Sequence, residues 1–136
     1  MKYSIKVPCL KENLIKIRAF VSGVLLKYDL DEVEANYMVL AVDEVCANLI
    51  IHSYQSSPDE NIEVDINVNT AKITFDIHDR GEGYDIRLHQ EPQIDEIIRT
   101  KRKGGVGLML VKRIMDDIDF ISNNSDNIVR LTKFRS

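Results

Sequence analysis

The 136 residues are enough for one domain with a buried core, and the composition, 44% hydrophobic and 29% charged, is that of an ordinary globular protein. A net charge of −4 argues against nucleic-acid binding by bulk electrostatics. Cys9 and Cys46 form no C-x-x-C pair, the N-terminus has no signal-like apolar core, and no apolar run is long enough to span a bilayer, so a single-domain, reduced, cytoplasmic protein without a membrane role is expected.

Tyr3, Ile5 and Val7 alternate with Ser4 and Lys6, the period of a strand. From Leu10 to about Lys27, the apolar residues Leu10, Leu14, Ile17, Val21, Val24 and Leu25 follow helical spacing. Asp29 or Asp31 is suited to cap a second helix reaching about Tyr54. The segment 55–61, QSSPDEN, is turn chemistry. Ile62, Val64, Ile66 and Val68 define a half-buried strand. Asn69 and Thr70 form a turn, and Ile73, Phe75 and Ile77 define the returning strand. Residues 84–103 are polar and contain Pro92, with room for one short helix near 93–100. A further helix is expected over about 105–115 and two closing strands near 118–122 and 127–134. Helices and strands come in clusters, not in strict alternation. The predicted class is therefore α+β, a two-layer α/β sandwich with helices on one face of a mixed, mostly antiparallel sheet.

Three segments carry chemistry-bearing residues. Glu44 and Asn48 stand four apart and so share a helix face. The ridge Tyr37, Ala41, Val45 and Leu49 is apolar and predicted to face the sheet. That places the neighbouring ridge, Asn36, Leu40, Glu44, Asn48 and His52, at the rim of the core. A carboxylate at such a rim is tunable as a proton acceptor, and an amide oxygen beside it suits Mg²⁺. The E-x-x-x-N spacing alone is common by chance among ordinary helix-surface polar residues.

Asp79 continues the inward phase of Ile73, Phe75 and Ile77. Either the strand reaches it, and a carboxylate at the core side needs a partner such as an exocyclic amine, or the strand has ended and Asp79 is a turn residue. Gly81 and Gly83 follow, permitting close backbone approach to a ligand or a plain turn. Gly104, Gly105 and Gly107 open the later helix, whose apolar positions are Leu108, Val111 and Ile114. Such an entry offers free N–H groups to phosphate. The basic run Arg99, Lys101, Arg102 and Lys103 lies just upstream, suited to a triphosphate or to solvent. The glycine cluster is neither a Walker A loop nor a Rossmann fingerprint.

Taken in order, these segments resemble the Bergerat-fold, histidine-kinase-like ATPases, the superfamily of gyrase B subunits, MutL proteins and sensor histidine kinase catalytic domains. Within it the chain is most similar to the small bacterial anti-sigma-factor serine/threonine kinases. The segment DEVCANLIIHSY (43–54) resembles the N-box, DRGEGYD (79–85) the G1 box and GGVGLMLVKRIMDDIDF (104–120) the G2 box with the stretch that follows it. The ending RLTKF (130–134) is similar too.

The resemblance implies a role for each position. Glu44 would be the catalytic base, and Asn48 would hold Mg²⁺ together with phosphates and water. Asp79 would read adenine, with Gly81 and Gly83 as the hinge beside it. The run Lys103, Gly104, Gly105, Val106, Gly107 and Leu108 would complete the nucleotide site, Gly105 and Gly107 gripping the phosphates. The implied cofactors are ATP and Mg²⁺. The implied partners are an anti-anti-sigma protein of STAS type, phosphorylated on serine, and a sigma factor held inactive by a homodimer. The chain departs from the family pattern at Ile128, where a Thr commonly contacts the base, and in a short lid without glycine between Gly83 and Gly104. A reading from another class is a non-catalytic ATP-binding switch that regulates a protein partner.

Overall fold

The computed structural model describes residues 1–53, 59–79, 109–123 and 126–135. Strand β1 (Lys2–Pro8) leads through a single 3-10 turn at Lys11–Asn13 into α1 (Leu14–Leu25). The helix expected from Leu10 thus starts later. Asn13 donates its side-chain amide to the Pro8 carbonyl at 2.8 Å, which ties the turn to the end of the strand. Helix α2 (Glu32–Asn48) is capped by Asp31, whose carboxylate accepts from the Glu34 N–H at 3.2 Å. It passes into a π-helical turn at Leu49–Ser53.

The sheet consists of β1, β2 (Asn61–Val68), β3 (Lys72–Asp79), β4 (Asp117–Asn123) and β5 (Asp126–Phe134), in the spatial order β1-β2-β3-β5-β4. All four pairings are antiparallel, so the mostly antiparallel sheet expected from the sequence is antiparallel throughout the described residues. The β2–β3 turn is held by Asn69, whose side-chain oxygen accepts from the N–H groups of Ala71 and Lys72 at 2.8 Å each. Residues 109–114 are helical and precede β4.

One face of the sheet carries the core. Val7, Ile62, Val64, Ile66, Val68, Ile73, Phe75, Ile77, Val129 and Leu131 are buried there. They are covered by Ile17, Val21, Val24 and Leu25 of α1 and by Met38, Ala41, Val42, Val45 and Cys46 of α2. Among the described residues no helix is long and apolar enough to cross a membrane.

The helix-facing ridge of α2 needs one correction. Tyr37, placed by sequence spacing on the sheet side, is 51% exposed, and Met38 takes the inward position at 2%. A strict i+4 row precesses by about 40° per step around a helix of 3.6 residues per turn. Three steps from Leu49 carry it off the core. The buried stripe instead mixes steps of three and four.

Candidate nucleotide site

Glu44 and Asn48 lie on α2 beside the buried stripe, both half-buried, as the rim reading expects. The side-chain amide nitrogen of Asn48 donates to the backbone carbonyl of Glu44 at 2.7 Å. A carbonyl only accepts, so the amide must turn its NH₂ towards the helix. The Asn48 side-chain oxygen is therefore the head of the amide that this bond leaves for another partner. That is the atom a hard cation requires. The helix changes to π geometry in the next turn, a local widening often found beside functional residues.

Burial raises the Glu44 carboxyl above its ordinary value, and the neighbouring Asp43 carboxylate adds to the shift. Asp43 is itself paired with Arg18 of α1, Nη1 to Oδ1 at 3.1 Å. That pair joins the two helices and holds the Asp43 side chain in place next to Glu44. The outcome is a carboxylate with a raised affinity for a proton.

Strand β3 runs through Asp79, so the strand reading of that position holds for the backbone. Asp79 stands in register opposite Ile62 of β2 and Asn127 of β5. Its position is in phase with Phe75 and Ile77, both fully buried. Gly81, Gly83, Lys103, Gly104, Gly105, Val106, Gly107 and Leu108 lie outside the described residues, as does the segment 84–103 expected as a lid.

Asn127 is a position that the sequence reading passed over. It is 5% exposed and in phase with the buried Val129 and Leu131. Ile128, singled out from the sequence as the departure near the base, stands in register with His78 and Ile121 instead, in the opposite phase of the strand. The polar residue in register with Asp79 is thus Asn127. The signal was available in the sequence, because the alternation set by Val129 and Leu131 includes residue 127 and not 128.

Comparison with known proteins identifies the family and the fold. Residues 7–133 match the family described as a histidine kinase-like ATPase domain. The chain belongs to that family, which makes ATP its expected nucleotide. Among curated relatives, the protein named serine-protein kinase RsbW of Oceanobacillus iheyensis is 28% identical over 133 residues, covering 95% of this chain and 84% of the relative. The Bacillus subtilis protein of the same name is 27% identical over 135 residues, covering 95% and 82%. The one from Listeria innocua is 23% identical over 137 residues, covering 98% and 87%. The fold is also that of a crystal structure of the RsbU and RsbW domains of a Mycobacterium tuberculosis protein, with a TM-score of 0.69 at 14% identity. The similarity covers 98% of this chain and 32% of that longer chain.

Proposed function

We propose that this single domain is an ATP- and Mg²⁺-dependent protein serine/threonine kinase and an anti-sigma regulatory factor. It phosphorylates a serine on an anti-anti-sigma partner of STAS type and, in another state, holds a sigma factor inactive, acting in the cytoplasm as a homodimer. The observation that carries the reading is the Glu44–Asn48 pair, an acid with a raised proton affinity one turn from an amide whose nitrogen is engaged by its own helix. The curated relatives named as serine-protein kinases support the choice of a hydroxyl as acceptor.

In the proposed reaction the serine hydroxyl oxygen bonds to the γ-phosphorus, and the bond to the β,γ-bridging oxygen breaks. Glu44 takes the hydroxyl proton, and ADP leaves. The Asn48 side-chain oxygen would help to hold Mg²⁺, which would supply neutralisation of the phosphate charge. Asp79 hydrogen-bonds the adenine amine. Asn127, its register partner, supplies a second buried polar group at that end of the sheet. Gly81 and Gly83 serve as the hinge, and Lys103, Gly104, Gly105, Val106, Gly107 and Leu108 complete the nucleotide site, with Gly105 and Gly107 gripping the phosphates. Most of the rate enhancement comes from positioning.

The test is phosphotransfer from labelled ATP, with Mg²⁺, to the cognate anti-anti-sigma protein. Wild type should label a serine, and Glu44→Ala should lose labelling while retaining ATP. Wild type that binds ATP but never labels the partner would instead be a non-catalytic switch, and the kinase reading would fail.

A further inference from the structure

The sheet face turned away from the helices holds a second constellation that the nucleotide site does not use. Glu63 and Asp65 stand two apart on β2, so both project from that face. His78 on β3 is in direct register with Glu63, and Ser4 on β1 is in direct register with Asp65. Three adjacent strands thus deliver four polar side chains to one spot. His78 Nε2 lies 2.8 Å from Asp65 Oδ2, and the Ser4 hydroxyl donates to Asp65 Oδ1 at 2.5 Å. One ligand-type atom from each of Glu63, Asp65 and His78 falls within 4.8 Å of the others. Asp65 is 8% and His78 9% exposed, although they belong to the outer face.

We propose that Glu63, Asp65 and His78 form a binding site for a divalent first-row transition-metal ion, with zinc as the reference ion. The donor set is one imidazole nitrogen and two carboxylate oxygens. Its charge is −2 with neutral histidine, which matches a divalent cation. Imidazole favours zinc and its neighbours over calcium and magnesium, which take oxygen ligands. Tetrahedral zinc with bonds near 2.1 Å needs ligand atoms roughly 3.4 Å apart. The His78–Asp65 pair, at 2.8 Å, is somewhat closer than that, and the three atoms lie within 4.8 Å of one another, so the group brackets the required spacing. Three protein ligands leave one position for water on the solvent side. Ser4 then acts as an outer partner that orients the Asp65 carboxylate.

The surroundings support this charge assignment. Asp76 is in register with Asp65 on the same face. It is engaged by Arg130, whose Nε and Nη2 donate to its two oxygens at 2.7 and 2.9 Å. That pair accounts for Asp76, which is therefore not counted among the donors. A bound ion would brace β2 to β3 through His78, the residue immediately before Asp79.

The test uses chelator-stripped, nucleotide-free protein titrated with zinc chloride by calorimetry, and with Co²⁺ followed by absorbance. One equivalent should bind. The Co²⁺ spectrum should show ligand-field bands without a thiolate charge-transfer band, which separates this site from Cys9 and Cys46. Glu63→Gln and His78→Gln should each weaken zinc binding by at least about tenfold, while Asn48→Ala should leave it unchanged. If His78→Gln fails to fold by circular dichroism, the half-buried Glu63→Gln decides alone. Absence of zinc uptake by wild type, a thiolate band, or undiminished binding in folded Glu63→Gln overturns the proposal.

Discussion

The side chain of Asn48 holds the backbone carbonyl of Glu44 at 2.7 Å, so the two residues proposed as metal ligand and base are coupled through one turn of α2. The bond fixes which end of the amide is left over. We expect Asn48→Ala to weaken ATP binding in Mg²⁺ by roughly 10–100-fold, the scale of losses when groups of a metal site are removed. Affinity in EDTA should change little. Calorimetric titrations with and without Mg²⁺ measure the difference, and equal losses in both would remove Asn48 from the metal.

Glu44 gives a pH signature. Burial and then the Asp43 charge raise its carboxyl above the ordinary glutamate value. A base must be ionised to accept a proton, so kcat/KM should fall on the acid side at a higher pH than a free glutamate would give. Replacing Asp43 by Asn removes the like charge, and the acid limb should move to lower pH. A limb unmoved in Asp43→Asn would show that the charge does not reach the base. Glu44→Ala should lower kcat by about 10²–10⁴-fold.

The same shift has a stability consequence with a definite sign. A carboxyl whose folded-state proton affinity exceeds its unfolded one costs the folded state when it ionises. Stability is therefore lost as pH rises through the folded value. Glu44→Gln removes that cost and should raise the melting temperature at pH 7 while slowing phosphotransfer as Glu44→Ala does. Thermal unfolding at pH 7 checks it. A lower melting temperature would mean that the glutamate makes a compensating contact.

Asp65 behaves in the opposite sense. Burial alone would raise its carboxyl, but the hydrogen bonds from Ser4 and His78, the charge of His78 and the contact with Glu63 outweigh it, and the net shift is downward. Its contribution is present above the unfolded value, about 3.9, and is lost as pH falls through the folded one. The stability gap between wild type and Asp65→Asn should be largest near neutrality and shrink below about pH 4. Urea unfolding at the two pH values, in chelator, measures the gap. A gap independent of pH would assign the loss to packing.

Much of this was legible in the sequence because the strands alternate cleanly. Ile62 to Val68 and Ile73 to Ile77 are apolar at every second position, and both phases are those of the core. The helices were harder at their ends. Leu10 has helical spacing, yet the chain makes a 3-10 turn there, because Asn13 binds the Pro8 carbonyl and fixes the entry to α1. Tyr37 was misplaced because a four-residue ridge was followed further than helix geometry allows. The Glu63–Asp65–His78 group escaped notice because register between strands, not spacing within one, brings it together. His78 viewed alone carried no signal.

Register also supplies the final prediction. Asp79 and Asn127 are cross-strand partners at the end of β3 and β5, and Asn127 is buried at the core side. A site that reads a base by hydrogen bonds discriminates strongly against analogues lacking the donor, because its own polar groups are then left unpaired. Asp79→Asn should therefore weaken ATP while leaving competition by inorganic tripolyphosphate unchanged, since the change is at the base end. Asn127→Leu should produce a smaller loss of the same kind, and neither should alter the Mg²⁺ dependence assigned to Asn48. Competition titrations of ATP, GTP and tripolyphosphate against a fluorescent nucleotide resolve the two ends. If Asp79→Asn weakens tripolyphosphate as much as ATP, the residue acts on the phosphates or on folding, and the base-reading role is wrong.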